Sequence, residues 1–448
     1  MNFSFLKEKA FQALENKRYL TLKKILKDMN PADLALLFQD LEKSDVYIVF
    51  RLLPKEISAE TFSYMDSEMQ KHLISIFSDS ELSEVIDQLY LDDTVDLIEE
   101  MPANFVSRII KNADPSTRKM INEILKYPND SAGSIMTVEY VYLHKEMCVK
   151  EAIEKIRSVG WVKETIYTCY VTDSRKLIGM VTLLDLLTSD DDTYISDIMD
   201  TNIISVNTYE HRESVAKKLS KYDFMAMPVV DNEERLVGIV TFDDVMDVLQ
   251  EEATEDIEKM AGISHNDESY FKTSVFKHVK NRMFWLMFLM LSSTITGLIT
   301  DSFELQIATI PLLVSFMPTL MGTGGNCGSQ SSTMIIRGLS VDEIQLKDFF
   351  KVIFKEFRIA LVCSIILAVV NGLRIYLMYK DLQIAIVVSV SLIATVIVSK
   401  LIGCSLPMLA KRLKIDPTIM ATPIISTCVD ASSMFIYFSI ATKMLNSG

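Results

Sequence analysis

Asp430 is the only acid set deep within an apolar stretch of this 448-residue chain, in DPTIMATPIISTCVDASSMFIYF. An ionised carboxylate in hydrocarbon costs several kcal/mol, so such a group faces a bundle interior or a water-filled path. Otherwise it is paired, and Lys400, the one base deep in a neighbouring apolar stretch, is the available partner unless it snorkels toward the membrane surface. Pro407 and Pro423 are expected to interrupt helices here and free backbone carbonyls, which membranes tolerate where they line a cavity. A carboxylate with carbonyl and amide oxygens is a donor set for a hard cation. Mg²⁺ sheds water reluctantly, so few carboxylates reading a hydrated ion suit it. The segment MPTLMGTGGNCGSQSSTMIIRG (317–338) lacks the GK[ST] of a P-loop and a GxGxxG after a strand. It reads either as a small-residue packing face or as a break at Gly322, Gly324, Gly325 and Asn326 that brings backbone to an ion path. Ser329, Gln330, Ser331 and Ser332 add polar atoms without charge.

Two further groups of carboxylates stand outside the apolar segments. Asp92, Asp93 and Asp96 lie close in sequence, and Asp244, Asp247, Glu251, Glu252, Glu255 and Asp256 crowd one side of a helix. Like charges at such spacing repel by a few tenths of a kcal/mol per pair. Bringing the two groups together would be costly without cations between them, which is a mechanism for sensing divalent ions; each group alone reads equally as a solvated face. Hydrolytic chemistry finds no support, since no His accompanies a candidate Ser or Cys in a motif and HExxH is absent. The six Cys show neither CxxC nor zinc-ligand spacing. The N-terminus has no uninterrupted apolar core of a signal peptide, so the front of the chain is expected in the reducing cytosol.

The elements that must position these groups divide sharply. From Phe276 onward there are 15 Lys+Arg and 9 Asp+Glu; residues 1–275 carry 30 and 51, a net of −21. So acidic a front repels nucleic acid and anionic lipid and attracts divalent cations. Residues 1 to about 130 read as helices with punctuation at Pro31, Pro54, Ser78-Asp79, Pro102 and Pro128, and with Asp28, Ser58, Ser80 and Asp114 as candidate caps. A period of about 24 residues suggests helical hairpins stacked as a superhelix. From Met136 an α/β pattern takes over: a helix over Val149–Val159, strands in IYTCYVTD and KLIGMVTLLDLL, then a second copy from Met199. Gly179 and Gly238 are 59 residues apart, as are Asp185 and Asp244. This resembles a tandem pair of CBS modules. An acidic helix beginning near Asp243, placed to act as a gating lever, and a second helix over Tyr270–Arg282 lead to five apolar segments at about 284–300, 306–336, 357–379, 382–410 and 418–445, each long enough to span a bilayer. Lys277, Lys280 and Arg282, then Lys347, Lys351, Lys355 and Arg358, then Lys411, Arg412 and Lys414 fall on one side, which places the N-terminus inside and the C-terminus outside.

YPNDSAGSIMT (127–137), the paired repeat, TFDDVMDVLQEEATEDI, GGNCGSQ and the final DPT…P…D segment together resemble the MgtE family of magnesium transporters over essentially the full length. The resemblance implies a multidomain fold: an all-α superhelical domain (1–131), CBS domains at 132–195 and 196–252, a connecting plug helix (253–282) and a five-helix membrane domain (283–448). It implies a homodimer in the bacterial cytoplasmic membrane, in contact with lipid and with no nucleic-acid partner. The pore would run between protomers, with Asp430 selecting hydrated Mg²⁺ beside Asn326, Gly325 and Pro423. Cytosolic Mg²⁺ would favour closure through Asp92, Asp96, Gly133, Asp223, Asp244, Asp247, Glu252, Glu255 and Asp256. ATP would occupy the CBS cleft at Tyr167, Asp185 and Phe224. The expected activity is passive Mg²⁺ uptake and not an enzymatic reaction. Two other readings stay open, a proton- or ion-coupled carrier using Asp430 and a non-conducting, membrane-anchored nucleotide sensor.

Overall fold

The computed structural model describes residues 3–266, 270–271, 273–420 and 422–445, without the side chains of Glu56, Met420 and Thr422. The chain forms two units, Met1–Gln250 and Glu251–Gly448.

The first unit opens with ten short helices: α1 (Phe3–Glu15), α2 (Tyr19–Lys27), α3 (Pro31–Gln39), α4 (Lys43–Phe50), α5 (Lys55–Ser63), α6 (Ser67–Ile76), α7 (Asp79–Ile86), α8 (Leu91–Glu100), α9 (Ala103–Asn112) and α10 (Pro115–Ile124). The expected punctuation marks hairpins and not single helices, because α3–α4, α5–α6, α7–α8 and α9–α10 each fit between successive break points. The first helices of successive hairpins pack on one another (α3 on α5, α5 on α7, α7 on α9), which makes the array a superhelix. Of the expected caps, Asp114 holds: its side chain accepts from Ser116 N and Thr117 N. The other caps are Asn30, Asp66 and Ser78, the last in a capping box with Glu81. Asp28 instead closes α2 at its C-terminus, and Ser58 and Ser80 lie inside helices. Both serines follow a residue that already starts the turn, Pro54 or Ser78.

The α/β part contains β1 (Tyr142–His144), α11 (Val149–Val159), β2 (Thr168–Asp173), β3 (Lys176–Thr182), α12 (Leu183–Thr188) and α13 (Ile195–Ile198), then β4 (Val206–Asn207), α14 (Arg212–Tyr222), β5 (Ala226–Val230) and β6 (Leu236–Thr241). Each three-stranded sheet pairs its first two strands parallel and its last two antiparallel. The repeated glycines have a shared cause. A Cβ on Gly179 would sit 2.6 Å from Met199 Sδ, and one on Gly238 would sit 2.7 Å from Met136 Sδ. The leading segment of each module therefore crosses to the sheet of the other: Thr137 bridges Ile239, and Asp200 bridges Met180. The repeated Asp is also explained, since Asp185 and Asp244 each lie in the first turn of a helix and accept from Thr182 Oγ1 and Thr241 Oγ1 just before it, with Thr182 and Asp185 forming a capping box. The second module shares one apolar core with the helical hairpins, and the first module has its own.

Helix α15 (Phe242–Met260) starts in the first unit and ends in the second. The second unit then holds α16 (Val275–Asp301), α17 (Glu304–Thr309), α18 (Met317–Ser340), α19 (Phe349–Tyr379), α20 (Leu382–Arg412) and α21 (Thr422–Leu445). The helix expected over Tyr270–Arg282 is not separate: Ser274 caps α16, which runs without a break into the first apolar segment; Lys272 lies outside the described residues. Helices α16, α19, α20 and α21 are long and apolar enough to cross a membrane. The fifth expected segment, α18, is 24 residues long, but its glycines, serines, Asn326 and Gln330 lower its hydropathy below theirs.

Candidate functional site

The expectation that Gly322, Gly324, Gly325 and Asn326 break their helix is overturned, because α18 is continuous from Met317 to Ser340. In hydrocarbon a continuous helix satisfies every backbone group internally, and the glycines instead permit close packing. A Cβ on Gly324 would come within 2.9 Å of Ser433 Oγ and 3.0 Å of Ser399 Oγ; one on Gly328 would meet Ile425 at 2.9 Å and Val429 at 3.2 Å. A Cβ on Gly403 would lie 2.2 Å from the Gly328 carbonyl oxygen, so α18 and α20 touch backbone to backbone. Gly322 and Gly325 have nothing within 4 Å of the corresponding position. Pro407 leaves α20 uninterrupted, and Pro423 sits in the first turn of α21, where its missing N–H costs no helix bond. It packs against Gly262, itself at φ +70°.

The opposite side of α18 has another character. Gly322, Asn326, Gln330, Thr333 and Arg337 recur at three- and four-residue steps and are all exposed, making one polar stripe along the helix. Val429 and Ser433, which flank Asp430 on α21, touch Gly328 and Gly324, so Asp430 lies at the depth of Asn326. Asp430 is half-buried and has no hydrogen-bond or ion-pair partner among the described residues. Lys400 is not its partner. It pairs with Glu356 of α19, a residue one position outside the apolar segment expected from sequence and there overlooked as a buried acid.

In the first unit, Asp92, Asp93 and Asp96 on α8 come within electrostatic reach of Glu139, Glu164, Asp243 and Asp244. Asp92 is 8 % exposed, and burial, then Asp244, hold its carboxyl well above the usual range. Burial and Asp243 raise Asp93 to about 6, and burial with Asp243, Asp244 and Asp93 raises Glu164 to about 8. Asp244 is raised to about 7 by burial despite the Thr241 hydrogen bond. Burial and Asp244 also lift Asp96 to about 7, though its side chain still reaches solvent, which weakens that shift. Burial raises Asp247 less, with Asp243 adding to it. Glu139 and Glu164 were not identifiable from sequence: they lie 25 residues apart in the first module and join the cluster only where Glu164 N donates to the Glu139 carbonyl (2.9 Å).

Among the described residues no three acidic, His or Cys side chains converge tightly enough to chelate a metal ion. The cluster nonetheless fits a divalent cation that keeps its water shell, because Glu164 Oε2 is buried without a partner and the charge is uncompensated. Asp223 closes α14 in the left-handed region at φ 54°, and no hydrogen bond or ion pair joins it to Asp244 or Asp247 among the described residues. Gly133 is needed for packing, since a Cβ there would lie 2.4 Å from the Tyr127 ring. Glu252, Glu255 and Asp256 fall in the second unit; Glu255 is paired with Lys259 (2.8 Å), which also holds Asp416 (2.9 Å). Of the nucleotide candidates, Tyr167 is 64 % exposed, Phe224 stacks on Tyr222 at 5.7 Å, and Asp185 is engaged in its cap.

Comparison with known proteins adds three family matches: an MgtE intracellular N domain over 29–130, CBS domains over 132–191 and 195–251, and a divalent cation transporter domain over 317–440. The magnesium transporter MgtE of Thermus thermophilus is 36% identical over 97% of this chain and 98% of its own length. That of Bacillus subtilis is 32% identical over 94% and 96%. The crystal structure of the cytosolic domain of the Mg²⁺ channel MgtE in complex with ATP matches with a TM-score of 0.52 and 36% identity, covering 54% of this chain and 99% of that one. The soluble part of a magnesium transporter matches with a TM-score of 0.54 and 28% identity, covering 56% and 100%.

Proposed function

The chain belongs to the MgtE family of magnesium transporters, and from that premise we propose that it is a passive Mg²⁺ channel closed by cytosolic Mg²⁺. It is a membrane transporter with an intracellular N domain, not an enzyme. The observation that carries the channel reading is the pairing of Asp430, without a partner, with the polar stripe of α18 at the same depth. A polar stripe cannot face lipid, so it lines water, and a second copy of the chain covers the remaining side of that path. Asp430 attracts the hydrated ion, and the amide oxygen of Asn326 and backbone near Gly325 and Pro423 complete the lining. The membrane potential drives a divalent cation inward by about 4.6 kcal/mol per 100 mV, with the N-terminus inside and the C-terminus outside.

Closure follows from the acidic cluster. Mg²⁺ between α8 and the CBS modules relieves the repulsion among Asp92, Asp96 and Asp244, with Asp247, Asp223 and the Gly133 carbonyl at the margin. Glu252, Glu255 and Asp256 carry the same response along α15 to the membrane unit. The likeness to an ATP-bound cytosolic domain supports ATP in the CBS cleft at Tyr167, Asp185 and Phe224. We assign these roles to the segments 1–131, 132–195, 196–252, 253–282 and 283–448, with the connecting segment made of the end of α15 and the start of α16. Mg²⁺ flux into proteoliposomes, native chain against Asp430→Asn, tests the channel. Undiminished flux in the variant refutes it, and flux that follows an imposed proton gradient assigns the chain to carriers.

A further inference from the structure

Lys400, Ser331 and Glu356 form a charged chain inside the membrane unit that the channel reading leaves unused. Lys400 Nζ donates to Ser331 Oγ (3.1 Å), Ser331 Oγ donates to Glu356 Oε2 (2.6 Å), and the ammonium lies 3.8 Å from that carboxylate oxygen. The three residues are 5 %, 2 % and 9 % exposed and come one each from α20, α18 and α19. Breaking a buried pair leaves an uncompensated charge, so the two charged groups hold their helices in one arrangement.

The face of α18 at Gly324 and Gly328 is smooth, between Leu320 toward one end and Ile335 and Leu339 toward the other, which are buried in apolar clusters. Gly324 and Gly328 present no side chain to α20 and α21, and Gly403 meets the Gly328 backbone. Such a surface fixes how near the helices lie but resists rotation of α18 about its axis only weakly. At this level a directional hydrogen-bonded bridge adds to the constraint that Leu320, Ile335 and Leu339 give by packing. Ser331 stands about 140° around the helix from the mean direction of the stripe through Gly322, Asn326, Gln330, Thr333 and Arg337, at 3.6 residues per turn. Holding Ser331 between Lys400 and Glu356 therefore aims the stripe.

We propose that the Lys400–Ser331–Glu356 bridge is a positioning element that sets the rotation of α18 and thereby the discrimination among divalent ions at Asn326 and Asp430. This rests on the channel reading. The test uses the full chain in proteoliposomes and the ratio of Mg²⁺ to Mn²⁺ flux. Ser331→Ala keeps both charges, and K400M/E356M replaces them with apolar side chains of similar length. Both are expected to assemble as monodisperse protein and to shift the flux ratio by about threefold or more, with Ser331→Thr, which keeps the hydroxyl, returning it toward the native value. A native ratio in Ser331→Ala overturns the proposal whether or not K400M/E356M folds, because the bridging hydroxyl would then transmit nothing. Asp430→Asn run alongside separates the two claims. If its flux is undiminished the channel reading fails, and if its flux is lost while Ser331→Ala keeps the native ratio only the positioning role fails.

Discussion

Two sets of buried and half-buried carboxylates in this chain are treated in opposite ways. Glu356 in the membrane unit has its counter-charge built in: Lys400 is 3.8 Å away and Ser331 bridges them. Asp92, Asp93, Glu164 and Asp244 in the intracellular unit have no Lys or Arg ion pair among the described residues, and all four carboxyls are raised. A carboxylate with a resident cation is insulated from solution ions and serves architecture. One without it is sensitive to whatever cation the solution offers. Asp430 belongs with the second kind although it lies in the membrane unit, and that separates its role from that of Glu356 at similar surroundings.

The comparison breaks first at Asp430. Asp430→Asn is expected to lower Mg²⁺ flux by more than about tenfold, equivalent to at least about 1.4 kcal/mol, in proteoliposomes loaded with a Mg²⁺-sensitive dye. Lys400→Met alone strands Glu356 and should cost about 3–5 kcal/mol of folding stability. Its monodisperse yield should fall steeply and recover in K400M/E356M; equal yields in single and double variants would mean the pair is energetically idle. In the intracellular unit the prediction has the opposite sign. Joint replacement of Asp92, Asp96 and Asp244 by Asn should leave the Mg²⁺-free protein no less stable, remove the protease protection that Mg²⁺ but not K⁺ confers, and leave flux open at high Mg²⁺. Persistent Mg²⁺ closure would sink the sensing mechanism.

The pH dependence sharpens the same contrast. Raised carboxyl pKa values mean that the folded intracellular unit binds more protons than the unfolded chain between about pH 4 and the folded values of about 6 to 8. Its stability without Mg²⁺ should be greatest at low pH within that window and fall as pH rises through it, by several degrees in Tm. Saturating Mg²⁺ should flatten the slope. Glu164→Gln is the smallest change: about 1 kcal/mol of stabilisation in Mg²⁺-free buffer at pH 8, visible as a small Tm gain that Mg²⁺ reduces.

The sequence was legible where local rules govern. Val149–Val159 is a helix from end to end, the 59-residue repeat is a pair of like sheets, and the prolines and Ser78 bound the hairpins. It misled where glycine and proline were read as breaks that present backbone to an ion path at membrane depth. Gly322–Asn326 and Pro407 were expected to break helices, yet bilayer-depth helices are held by internal hydrogen bonds and close packing, which these residues permit. It was blind where partners come from distant segments, as with Glu139 and Glu164 beside α8, or Glu356 beside Lys400.

Composition and periodicity by themselves determined that an acidic intracellular region precedes a set of apolar helices, that the modules repeat, and that Asp430 lies within an apolar segment, since these depend only on residue order. Which charges are answered and which are left open was decided by the tertiary structure alone. Whether a carboxylate is paired depends on which side chain arrives within about 4 Å, and helices α18, α19 and α20 had to pack before Lys400 could choose Glu356 and leave Asp430 without a partner among the described residues.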